Sequence, residues 1–174
     1  MLTFILIALI SVSVIECYLH ELEENYKACS PWIYHMKYKK CYKKFCADSW
    51  YFDAERLCRK LGGELVTICS HEENFFVAML SRFHMRGDGP ITERFTWIGL
   101  RMDDLLKPWY WRDGSTKCPF RHWASGEPTW LFDNYAGLAT TYRHQYDEWY
   151  GATNLYGGKA LCEIKNCTID KLGV

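Results

Sequence analysis

The chain has 174 residues, nine of them cysteine, and its 21 basic side chains are balanced by 21 acidic ones. That balance excludes a global field able to draw nucleic acid or anionic lipid, while the length supports one domain with a proper core. There is no GxSxG, no HExxH and no cysteine at catalytic spacing from a histidine, so no enzyme is expected.

In chain order, the stretch from Phe4 to Ile15 is uncharged and almost wholly apolar. About a dozen residues is too short for the roughly 20 that span a bilayer, but it suits the apolar core of a signal peptide. Residues 1–17 are therefore predicted to be a signal peptide, cleaved after residue 13 (the small pair Ser11-x-Ser13) or after Cys17. The mature chain is expected to be secreted and extracellular, with no membrane anchor. Cleavage after Cys17 leaves Cys29, Cys41, Cys46, Cys58, Cys69, Cys118, Cys162 and Cys167. An even eight in a secreted chain reads as four disulfides, and zinc is not expected because no CxxC-type pair occurs. Cleavage after Ser13 retains Cys17 as an odd thiol able to bridge two chains.

The run "KYKKCYKK", Lys37 to Lys44, is predicted to be a solvated strand edge rather than a polyanion site. A helix follows from about Ser49 to Leu61, with Ala54, Leu57, Cys58 and Leu61 on one face. Glu55 and Arg59 form an outward i,i+4 pair on it, and Gly62-Gly63 ends it. A second helix opens at "SHEE", where Ser70 and Glu73 form a capping box. Its buried stripe is expected to be Phe76, Met79, Leu80 and Phe83, and Gly87-Asp88-Gly89-Pro90 stops it. Strands are predicted over "FTWIGL" (Phe95 to Leu100), "PWYWRDGS" (Pro108 to Ser115, closed by an Asp-Gly turn) and "KALCEIKN" (Lys159 to Asn166). The long aromatic stretch from Thr116 to Gly158 is expected to be a packed functional loop. Helices early and strands late give an α+β domain.

Several anchors in order resemble the C-type lectin-like domain in its long form. They are Cys29-x-x-Trp32 with Cys41-Tyr42, "AERLCRKLGGEL", "SHEENFF", Trp97-Ile98-Gly99-Leu100, Trp109-x-Trp111-x-Asp113-Gly114-Ser115, Trp123-x-x-Gly126-Glu127-Pro128, and Cys162-Glu163. The resemblance covers Cys29 to Glu163, and the domain is placed at 29–167. It implies two helices, small antiparallel sheets, a long irregular loop and two disulfides, Cys29–Cys41 and Cys58–Cys162. The second closes a loop worth up to ~4.7 kcal/mol by chain entropy. The family's inner disulfide falls on Tyr135 and Asn154 and is absent. Cys46, Cys69, Cys118 and Cys167 lie outside the pattern. If the first and last strands pair antiparallel, as the resemblance implies, Cys46 and Cys167 lie at opposite ends, which leaves two of the three pairings open.

The resemblance also implies a calcium and sugar site in the long loop. Calcium takes six to eight oxygens. Carried over position by position, Glu127 and Pro128 are present, Thr129 replaces an asparagine, and Asp133 stands for the next acid. After Trp149, Tyr150 and Gly151 occupy the places of an Asn-Asp pair. Two ligands from five are too few, so no metal and no cofactor are expected. Were calcium to bind, a shifted set of Glu127, Asp133, Asp147 and Glu148 would have to hold it. The candidate ligand-binding residues are Glu127, Thr129, Trp130, Asp133, Trp149 and Tyr150. Trp123, Trp130, Phe132, Tyr135, Tyr142, Tyr146, Trp149, Tyr150 and Tyr156 crowd the region as core, with any exposed members forming a binding patch.

Arg86-Gly87-Asp88 spells the integrin tripeptide, but chance suffices to account for it and an integrin partner is not expected. Asn166-Cys167-Thr168 is a glycosylation sequon, in competition with a disulfide at Cys167. The expected function is a secreted, calcium-independent binding module of carbohydrate-binding class, recognising a glycan or an extracellular protein through the long loop. The alternative is an extracellular assembly protein acting as one subunit of a dimer, joined through the long loop or Cys17.

Overall fold

The computed structural model describes residues 2–82, 95–103, 108–129, 133–140 and 147–168. The elements are α1 (Leu2–Asn25), β1 (Ile33–His35), β2 (Lys40–Ser49), α2 (Tyr51–Lys60), β3 (Glu64–Leu65), α3 (His71–Arg82), β4 (Phe95–Arg101), β5 (Tyr110–Trp111), β6 (Tyr135–Ala139), β7 (Trp149–Ala152) and β8 (Gly158–Lys165). This is an α+β fold. The strands join in one sheet of order β1-β2-β8-β4-β6-β7, with β3 on β8 and β5 on β4. All its pairs are antiparallel except β4 with β8. The expected long loop thus contains two strands, β6 and β7. Conversely, the strand read over Pro108 to Ser115 narrows to Tyr110–Trp111, with the Asp113-Gly114 turn beyond it and Gly114 at φ +75.

The helices lie where the periodicity places them, with corrections to their faces. On α2, Tyr51, Ala54, Leu57 and Cys58 are buried, and so is Glu55. The expected pair with Arg59 forms at 3.3 Å, but the Glu55 carboxylate is not outward: it turns inward to Arg112 Nε at 2.7 Å and Arg101 at 3.7 Å. On α3 the buried residues are Glu73, Asn74, Val77, Ala78 and Ser81. Phe76 and Leu80 pack partly against the core, whereas Met79, placed in the stripe by sequence, is exposed. Ser70 caps α3 by accepting the Glu73 N–H at 3.2 Å, but Glu73 does not reach back to its cap. Its carboxylate instead accepts the Cys69 N–H at 2.8 Å and bonds from Lys40 and Tyr42. Phe83, the Gly87–Pro90 stop and Arg86-Gly87-Asp88 lie outside the described residues.

The basic run is a second correction. β2 is not an edge: it lies between β1 and β8, and its two faces are met by α3, through Lys40 and Lys44, and by α1, through Lys43. Lys44 is 1% exposed and donates to the Ser81 carbonyl at 2.6 Å. Burial, with Lys159 nearby, pushes its pKa down to about 7. On the same face the Lys40 ammonium donates to the Thr67 carbonyl at 2.8 Å and to Glu73 at 2.7 Å, and pairs with Glu163 at 2.9 Å. Burial works against that charge, but Glu163 and Glu73 together hold the Lys40 pKa above its usual value. Burial pushes the Glu163 carboxyl up to about 7, against the pull of Lys40. On the opposite face Lys43 pairs with Glu23 of α1.

Four disulfides staple this frame, and one expected bridge is wrong. Cys58–Cys162 forms as implied, tying α2 to β8. Cys29 bonds Cys46, not Cys41. The hairpin pairs Ile33 with Tyr42 and Tyr34 with Cys41, so the chain running back from Ile33 meets β2 further along, at Cys46. Cys41 instead sits opposite Ile164 of β8 and bonds Cys167, whose N–H donates to the Lys39 carbonyl. Cys69 bonds Cys118. At the other end of the chain, α1 carries Leu22 buried among Phe45, Tyr51 and Leu57, and its later part packs on the sheet.

Candidate ligand-binding site

The long loop starts from a covalent root, since Cys69–Cys118 ties it to the entry of α3. The Trp111 indole N–H donates to the Cys118 carbonyl at 3.0 Å. Beyond it the chain runs beside β7, where Trp149 N donates to the His122 carbonyl at 2.8 Å and Ala124 N to the Trp149 carbonyl at 2.9 Å. A tight turn closes with Glu127 N donating to the Ala124 carbonyl. Gly126 sits there at φ +84, a conformation side chains resist. The Glu127-Pro128 peptide is cis.

Three of the candidate residues converge on one point of β7. The Glu127 carboxylate accepts the Gly151 N–H at 3.0 Å. The Asp133 carboxylate accepts the Thr129 N–H at 3.1 Å and also the Thr129 hydroxyl. Asp133 presses on Gly151 so closely that an added Cβ would lie 2.6 Å from its carboxylate. Gly151 is a site residue that the sequence reading misses. The available signal was a glycine next to a tyrosine where the resemblance leads one to look for Asn-Asp. Thr129 is exposed, while Glu127 and Tyr150 are half-buried at the rim. Burial, then the Glu148 carboxylate, raise the Tyr150 pKa.

The other candidates fall elsewhere. Trp149 is fully buried and belongs to the core, which corrects its place among ligand-facing residues. Its indole N–H donates to Asn74 Oδ1 at 2.7 Å, and Asn74 Nδ2 donates to the Asp147 carbonyl at 2.8 Å. The ring stands edge-on to Trp111, Phe120 and Trp123. The shifted carboxylate set does not gather. The Asp147 side chain lies 3.3 Å from His122 Nε2, and Glu148 accepts the Tyr150 hydroxyl at 3.4 Å. Among the described residues no group of three His, Cys, Asp or Glu side chains is placed to hold a metal ion. Of the crowded aromatics, Tyr135 lies over Tyr51 with centroids 4.3 Å apart, Trp123 packs on Trp109, and Tyr156 is exposed. Trp130, Phe132, Tyr142 and Tyr146 lie outside the described residues. Asn166 is exposed with φ +50, beside the bonded Cys167.

With this geometry in hand, the chain matches the family model of the lectin C-type domain over residues 46–164. It is similar to the bovine versican core protein, 29% identical over 109 residues that make 63% of this chain and 3% of that protein. It is also similar to the mouse CD209 antigen-like protein A, 33% identical over 100 residues, 56% of this chain and 38% of that one. The chain therefore spans only a minor part of these relatives. Among solved structures it superposes on a calcium-independent type II antifreeze protein with a TM-score of 0.62 at 20% identity, covering 79% of this chain and 95% of that one.

Proposed function

This chain belongs to the lectin C-type domain family, and on that premise we propose that it is a secreted module that binds a ligand through the long loop without calcium. The ligand class is a glycan or an extracellular protein, met by the rim of Glu127, Thr129 and Tyr150. One observation carries the reading: the loop carboxylates already have donors from the chain itself. Glu127 takes the Gly151 N–H and Asp133 takes both donors of Thr129. A calcium ion asks for six to eight oxygens. This donor set does not fit it, because Asp147 and Glu148 turn to His122 and Tyr150. The fold stands without the ion in the calcium-independent antifreeze protein.

Secretion is supported by four disulfides, which persist in oxidising compartments. Among the described residues no helix is long and apolar enough to cross a membrane. The test is an array of glycans and extracellular proteins probed in millimolar calcium and in chelator. The same ligands should bind in both, and Tyr150→Ala should weaken them. Binding seen only in calcium would overturn the reading.

A second reading has its own observation, since Cys17 is an exposed free cysteine on α1. If cleavage follows Ser13, this thiol joins two chains. A dimer on a non-reducing gel that disappears in Cys17→Ser would establish it, and a monomer in both would remove it.

A further inference from the structure

We propose that the hollow between Trp109 and Arg121 is a second subsite, taking a sugar ring that carries an oxyanion, either sulfate or carboxylate. It rests on the glycan half of the reading above but uses none of the rim residues Glu127, Thr129 or Tyr150. The hollow measures about 330 Å³ and is lined by Trp109, Tyr110, Trp111, Thr116 and Arg121 among others.

Arg121 sets its chemistry. A guanidinium has five N–H donors. Nη1 donates to the Cys118 carbonyl at 3.1 Å and the Phe120 carbonyl at 2.7 Å, and Nη2 to the Trp109 carbonyl at 3.1 Å. Two donors remain, and no described carboxylate pairs with the group. The charge lies over the Trp111 ring, Cζ 5.4 Å from its centroid. Burial lowers its pKa and no acid offsets that.

Other half-buried arginines of the domain are treated differently. Arg101 and Arg112 both reach Glu55, and Arg101 also pairs with Asp103. The acid of the adjoining turn, Asp113, is already taken by Lys165, Thr67 and Ser115. A clamp on three loop carbonyls accounts for part of Arg121, but it leaves a cation balanced only by dipoles beside an open hollow. Its complement is a group with acceptors only and a negative charge, shaped for the planar fork. The half-buried Trp109 and Tyr110 rings supply apolar wall, and the exposed Thr116 hydroxyl supplies a polar edge. Those walls favour a ring-borne oxyanion over a bare ion.

The test is a titration of the isotope-labelled mature protein in chelator, reading the Arg121 Nε and Trp109 indole signals. The probes are N-acetylglucosamine 6-sulfate, glucuronic acid, neutral N-acetylglucosamine and inorganic sulfate. At least one charged sugar should bind tenfold or more tighter than the neutral one, shift both signals, and weaken as salt rises. Arg121→Gln should abolish that preference, whereas Tyr150→Ala, which removes a rim residue, should leave it intact. The proposal is overturned if charged and neutral sugars bind alike, if the shifts fall on the rim instead, or if inorganic sulfate alone binds as tightly. Should Arg121→Gln fail to fold, the wild-type shift map decides by itself. Loss of rim binding with this preference retained would sink the long-loop reading and not this one.

Discussion

The sheet around β2 and β8 and the long loop around β7 hold their polar groups in opposite ways. The first buries whole ionisable side chains: Lys40 between Glu73 and Glu163, and Lys44 under the last turn of α3. It adds covalent staples at Cys41–Cys167 and Cys58–Cys162. The second carries only Cys69–Cys118, at its root, and then relies on neutral donors against carboxylates and on edge-on aromatic rings. One end is fixed by buried ion pairs and disulfides, while the other keeps Glu127, Thr129 and Tyr150 at a rim that solvent reaches.

The largest expected effect breaks the fixed end. Lys40→Ala leaves two buried carboxylates without their cation and should cost about 3–5 kcal/mol of unfolding free energy in urea titrations. A loss below ~1 kcal/mol would mean that water reaches the cluster.

Lys44 sharpens the same side through pH. Its folded pKa, about 7, lies below the ordinary lysine value of 10.5, so between those values the unfolded chain binds the extra proton. Stability should therefore rise with pH across that window, by up to about 1.4 kcal/mol per unit, and be lost again as pH falls toward 7. Lys44→Met should flatten the profile measured from pH 7.5 to 9.5, and an unchanged slope would assign it to another group.

On the loop side, Trp149→Phe keeps an aromatic ring of smaller volume and removes the N–H that Asn74 accepts. It should cost about 1–3 kcal/mol because Asn74 Oδ1 is left buried and unpaired. Smaller still, Glu127→Gln keeps an acceptor for the Gly151 N–H but not its charge. A loss of roughly 0.5–1.5 kcal/mol in the same titration is expected.

The two ends were not equally legible in sequence. α2, α3 and β4 announce themselves through period, caps and the Trp97–Leu100 segment, and the α+β class follows from their order. The Lys37–Lys44 run misleads because charge suggests solvent, while Lys40 and Lys44 alternate onto the face of β2 that α3 covers. The resemblance pairs Cys29 with Cys41, and only the hairpin register sends it to Cys46. In the loop, Glu127, Thr129 and Asp133 were legible as a group. That Gly151 gathers them, and that Trp149 turns inward to Asn74, are long-range facts no local pattern carries. Arg121 gave no signal at all, because its significance lies in the carboxylate it lacks.

The central claim, a long loop held by its own donors and not by calcium, is tested most directly by a thermal melt of the protein in millimolar calcium and in chelator. A metal present at 100 times its dissociation constant adds about 2.7 kcal/mol, which moves a domain of this size by several degrees. The two melts should coincide. A rise of several degrees in calcium would contradict the account and require Glu127 and Asp133 to release their donors to a metal.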